Sequence, residues 1–105
     1  MKNLLINYLK ENCKGYDNRK KANELMYIID IHDNKVFRAI IEDIRKTENV
    51  FICSEAGKNG GYWIPTNKQE IKLTIEHLEK RASEMLKTAR ILRKKSGIKK
   101  WLDIV

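Results

Sequence analysis

Apolar positions keep helical spacing over three early stretches, give way to two short β-branched and aromatic runs, and then resume helical spacing almost to the C-terminus. Residues 1–12 place Leu4, Leu5, Tyr8 and Leu9 on one face, which predicts a first core helix. Residues 13–18, with Gly15 and Asn18, read as the loop that ends it. From residue 22, Ala22, Leu25, Met26 and Ile29 recur at three- and four-residue steps and predict a second helix. In the third, Val36, Ile40 and Ile44 repeat every four residues, with Phe37 and Ile41 widening the stripe, and Asp33 is the expected N-cap. Residues 50–53 and 62–65 then flank a Ser/Gly/Asn-rich segment with three glycines, which predicts a hairpin closed by Pro65, a residue with no N–H for a ladder. Thr66 and Gln69 form a Thr-x-x-Gln capping box before one long helix over residues 67–95.

Two helices joined by a tight turn and followed by a hairpin predict a mainly α chain with a two-stranded β-hairpin, a winged helix-turn-helix with a long C-terminal helix. Residues 1–66 form the expected DNA-binding domain. Residues 67–105 are its packing or dimerisation element. With Val36, Ile40 and Ile44 turned to the core, the opposite face of the third helix presents Asn34, Lys35, Arg38, Glu42 and Arg45. Such side chains reach base edges and phosphates in a major groove. Asn34, Lys35, Arg38 and Glu42 are the candidate base readers; Arg45 and Lys46, with Arg19, Lys20 and Lys21 before the second helix, are candidate phosphate contacts. The hairpin loop projects as a wing with Lys58 and Asn59 near its tip, a second expected point of DNA contact.

The long helix carries Ile71, Ile75, Leu78, Ala82, Met85, Ala89 and Leu92 at alternating steps of four and three, a heptad seam. At ~1.5 Å per residue such a helix extends roughly 40 Å, more than a small domain covers, so its distal part needs a partner. A second copy is the simplest one, giving a homodimer; the alternative is that the helix breaks, or that its end lies along a partner or along DNA. Ser96 and Gly97 are expected to stop the helix. Beyond them residues 98–105 combine Ile98, Trp101, Leu102, Ile104 and Val105 with Lys99 and Lys100, a tail that either covers apolar surface or docks a protein partner.

The net charge of +8 adds affinity for polyanions. Most of that surplus lies at the end: residues 87–105 hold seven Lys/Arg against Asp103 alone. No apolar run approaches the ~20 residues that span a bilayer, and the N-terminus lacks the apolar core of a signal peptide, so no membrane contact and a cytoplasmic location are expected. Cys13 and Cys53 stand alone and widely spaced, which predicts reduced thiols. His32 and His77 belong to no ligand set, so no metal and no cofactor are expected. There is no Walker loop or nucleophile elbow, and Tyr8, Tyr16, Tyr27 and Tyr62 lack the histidine cluster of a strand-nicking tyrosine. A non-enzymatic binding protein is therefore expected, with a protein-interaction module (an antirepressor, or an inhibitor of a nucleic-acid enzyme) as the alternative.

Ala22-x-Glu24-Leu25, Ile29-x-Ile31, Val36-x-Arg38-x-x-Ile41-x-x-Ile44-Arg45, Ile52-Cys53-Ser54, Gly61-Tyr62-Trp63-Ile64 and Leu78-x-x-Arg81-Ala82 together resemble small winged helix-turn-helix proteins of phages and plasmids of Gram-positive bacteria. In size and basic ends the chain is also similar to relaxosome accessory proteins of conjugative clostridial plasmids. The resemblance implies DNA binding by the second helix of the motif and a role in repression, replication or plasmid mobilisation. Two positions depart from the pattern. Asp30 stands where the turn usually has glycine, which predicts a less sharply bent backbone, and the segment 56–61 predicts a longer, flexible wing.

Overall fold

The computed structural model describes residues 1–97. Its elements are α1 (Lys2–Asn12), α2 (Ala22–Ile28), α3 (Asn34–Thr47), β1 (Cys53–Glu55), β2 (Gly61–Trp63) and α4 (Lys68–Ser96), with a single 3-10 turn at Tyr16–Asn18. The chain divides into two units, Met1–Thr74 and a second beginning at Ile75.

In the first unit, one core gathers Leu5, Ile6, Leu9 and Cys13 from α1 and the residue after it, Leu25, Met26 and Ile29 from α2 and its cap, Phe37, Ile41 and Ile44 from α3, and Ile52, Cys53 and Trp63 from the hairpin. Two expected positions are corrected. Leu4 and Val36 are exposed, at 51% and 44%, while Ile6 is buried. In α3 the stripe centres on Phe37, Ile41 and Ile44, one three- and one four-residue step, so Val36 falls to its flank. In α1 the same geometry selects Leu5, Ile6 and Leu9.

The joint between α2 and α3 is sharp despite its aspartate. Asp30 takes φ 55°, the left-handed conformation that glycine adopts without cost. Its N–H bonds to the Tyr27 carbonyl and that of Ile31 to the Met26 carbonyl at 2.9 Å, the paired bonds of a Schellman cap. Asp33 then caps α3, its carboxylate accepting from the Lys35 N–H at 2.8 Å. The expected loosening of the turn is therefore corrected: Asp30 does what glycine would do.

β1 and β2 pair antiparallel, with Cys53 opposite Trp63, Ser54 opposite Tyr62 and Glu55 opposite Gly61. The ladder sits closer to the tip than expected because its outer residues are engaged elsewhere. Arg45 donates to the Ile52 carbonyl from both Nε and Nη2, at 3.1 and 2.7 Å. Ile64 pairs with the segment after α1, through Ile64 N to Cys13 O and Gly15 N to Ile64 O, each 2.8 Å. Lys20 adds an antiparallel bridge to Tyr62 on the free edge of β2. The approach there is so close that a Cβ on Gly61 would lie 2.7 Å from the Lys20 carbonyl oxygen. The turn between the strands is consequently only five residues, 56–60, shorter than the wing expected from sequence.

α4 begins one residue later than predicted and uses a different cap. Asn67 accepts from the Glu70 N–H at 3.0 Å, and its own Nδ2 donates to Glu70 Oε2 at 2.9 Å. The reciprocal pair is thus Asn67 with Glu70, not Thr66 with Gln69. Glu70 also accepts from Thr66 Oγ1 and, at 2.7 Å, from the indole Nε1 of fully buried Trp63. Thr74, the one buried residue of α4, accepts from the Ser54 N–H, so the first two turns of the helix hold the base of the hairpin. In the second unit α4 continues to Ser96, where Gly97 at φ 74° follows it. Among the described residues, no helix is long and apolar enough to cross a membrane.

Candidate nucleic-acid interface

α3 turns Phe37, Ile41 and Ile44 inward, and this fixes what it shows outside. Asn34, Lys35, Arg38, Glu42 and Lys46 are exposed. The last two engage each other: Lys46 Nζ lies 2.8 Å from Glu42 Oε1, one helical turn apart. That contact lowers the Glu42 carboxyl below its ordinary range and raises the Lys46 ammonium. Within the described residues, by contrast, no hydrogen bond or ion pair engages the side chains of Lys35, Arg38, Lys21 or Lys58. These four are left available to an external anion.

Asn34, at the start of α3, meets the start of α2 and the wing across a cleft of about 340 Å3. Lys21, Ala22 and Asn23 line one side, and Glu55, Gly57, Gly60 and Gly61 the other. Gly60 is required by the turn itself, since a Cβ there would stand 2.0 Å from the Glu55 carbonyl oxygen.

The wing is held from behind. Arg19 donates from Nε to the Asn59 carbonyl at 2.7 Å and from Nη1 to the Tyr16 carbonyl at 2.9 Å, and its guanidinium lies 3.9 Å from the centre of the Tyr16 ring. Tyr16 in turn donates its hydroxyl to Glu55 Oε1 at 2.8 Å and stands edge-on to Trp63, ring centres 5.1 Å apart. The bond to Glu55 raises the Tyr16 phenol above its ordinary value. Arg19 is thus drawn to the back of the wing tip, and the flexible wing expected from sequence is corrected to one tied at Asn59.

Arg45 is also corrected. It is half-buried and spends its guanidinium on the Ile52 carbonyl and on Ser54 Oγ at 2.9 Å. Burial pulls its pKa down from the usual arginine value. Its place is the base of the hairpin, not the outer face of α3. Lys20 is half-buried, bridges β2 through its backbone and lies 3.9 Å from Glu24, so among the three basic residues before α2 only Lys21 is both exposed and without a side-chain partner among the described residues.

Sequence reasoning missed Tyr16 and Glu55, which meet across 39 positions of the chain, and Glu70, which meets Trp63 across 7. It also passed over Tyr27 except as a nucleophile; this side chain is 85% exposed on α2 beside the turn. Cys13 and Cys53 are free and buried, and burial pushes both thiols up, away from the reactive thiolate. His32 stands at the turn with Nε2 3.0 Å from Asp30 Oδ1. Among the described residues no group of His, Cys, Asp and Glu could hold a metal ion. Comparison with known protein families, with curated proteins and with solved structures gives no significant match.

Proposed function

We propose that the chain is a sequence-specific binder of duplex DNA with a winged helix-turn-helix, serving a mobile element in plasmid transfer, origin recognition or transcriptional regulation. The observation that carries this reading is the outward face of α3. Asn34, Lys35 and Arg38 project from its first turns with no internal partner to satisfy them, beside a wing whose tip is positioned by Arg19 and carries Lys58. A helix entering the major groove reads with the residues of its N-terminal half. Arg38 suits the O6 and N7 acceptors of guanine, and Asn34 suits adenine. Lys21, just before α2, and Lys58, in the turn of the wing, suit phosphates. Glu42 and Lys46, paired with one another, belong at the rim.

Selection of bound sequences from a random duplex pool is the direct test. A recovered motif is expected, and Arg38→Ala should cost about 1–3 kcal/mol on that motif and relax one base position. Lys58→Ala should weaken all sequences evenly and lower the slope of log affinity against log salt. Equal losses for Arg38→Ala on motif and random duplex would remove base reading. Absence of binding even at low salt would leave an interaction with an acidic protein surface as the better account.

A further inference from the structure

The second unit is a helical segment whose seam lies open. Leu78 is 44% exposed, Met85 70% and Leu92 59%, and Leu86, which the seam does not include, is 57% exposed. Apolar side chains of this size in one stripe are covered in a stable protein. The covering surface can be read from the stripe itself. Large and small residues alternate, with Leu78, Met85 and Leu92 at one heptad position and Ala82 and Ala89 at the other. Around Ala89 the helix surface recedes into a groove of about 470 Å3, walled by Arg81, Met85, Thr88 and Leu92.

We infer that α4 pairs with α4 of a second copy in antiparallel orientation, with Met85 of each chain seated over Ala89 of the other. The same register sets Leu92 against Ala82, so every layer joins a large side chain to a small one and the helices approach closely. It is centred on residue 87, so the two Leu86 side chains flank the two-fold axis, roughly 3 Å apart along the helices at ~1.5 Å per residue, which accounts for an exposed leucine that the heptad alone leaves unexplained. All of these layers fall between residues 78 and 96, within the second unit. Charge selects the orientation. Residues 87–95 carry Lys87, Arg90, Arg93, Lys94 and Lys95 without an acid, and a parallel pair would stack two such ends. Reversed, each basic end runs beside residues 79–84 of the other chain, where Glu79 and Glu84 balance Lys80 and Arg81.

Sedimentation of the full chain over a concentration series tests the pairing, and the mass of two chains is expected. Met85→Glu, at an exposed position that leaves the core of the first unit untouched, should return the mass of one chain with the first unit still folded. A single-chain mass for the unaltered protein at every concentration, or a dimer that survives Met85→Glu, would overturn the proposal. Orientation is read by crosslinking with a short bifunctional thiol reagent, against the buried Cys13 and Cys53 as silent background. Leu86→Cys should crosslink. Leu78→Cys should not, since its two copies would stand roughly 27 Å apart along the axis at ~1.5 Å per residue. The reverse pattern would mean a parallel pair, and a Leu78→Cys crosslink would overturn the register.

Discussion

Asp30 and Tyr16 show how single residues set the geometry around the candidate interface. Asp30 holds φ 55° at the cap of α2, a conformation that costs a non-glycine residue roughly 1 kcal/mol even though aspartate tolerates it better than most. Asp30→Gly is therefore expected to raise stability by about 0.5–1 kcal/mol, read as a higher urea midpoint at unchanged slope. Tyr16 gives a pH dependence with a definite sign. Its phenol is raised above the ordinary value because the protonated hydroxyl donates to Glu55. The bond's contribution is complete below the ordinary phenol pKa and is lost as pH rises through the elevated one. Unfolding titrations at increasing alkaline pH should accordingly show the gap between the unaltered chain and Tyr16→Phe closing; a gap independent of pH would remove the bond to Glu55 as its source.

Among the elements, α4 and the hairpin are bound most directly, through Glu70. One carboxylate accepts from Trp63, Thr66 and Asn67, and Thr74 adds the bond from Ser54 one turn further on. Glu70→Ala would leave the indole N–H of Trp63 buried without an acceptor and remove the helix cap. The expected cost is about 2–4 kcal/mol, the sum of one buried unsatisfied donor and one lost capping interaction. Chemical unfolding followed by circular dichroism measures it, and a loss under 1 kcal/mol would mean that water or a neighbour replaces the carboxylate. Arg45 plays the matching part on the opposite side, fastening the end of α3 to the carbonyl of Ile52. Both residues are charged, and both are used inside the fold.

Across the molecule, helical periodicity was the legible signal. The spacing of Ala22, Leu25, Met26 and Ile29 in α2 and its cap, of Val36, Ile40 and Ile44 with Phe37 and Ile41 in α3, and of the seam of α4 identified three helices, and Asp33 marked a start correctly, because these features depend on residues within a turn or two of one another. Glycine clustering likewise located the hairpin. Its register was not legible, since Arg45 and the segment 13–20 take the hydrogen-bonding groups that β-propensity alone assigns to the partner strand. The capping residue of α4 was misplaced by one position for a similar reason: Glu70 is chosen over Gln69 because it also faces Trp63. The expected roles of residues 98–105, including a docking tail, fall outside the described residues.

The same division holds for the candidate interface. Sequence by itself determined the helices, the hairpin, the basic surplus and the seam, all of which follow from local periodicity and composition. Which cations remain outside was decided only by tertiary structure. Arg45 and Arg19 look identical to Arg38 along the chain, yet the first two find carbonyl oxygens at 2.7 Å and the third finds no partner among the described residues. The Ile52 carbonyl lies in a buried residue and must be paired, and Arg45 is the donor that reaches it, while Arg19 is held by the Tyr16 ring and carbonyl as well as by Asn59. The folded backbone, through the acceptors it leaves unmet, therefore selects which arginines hold the protein together and which are left for something else.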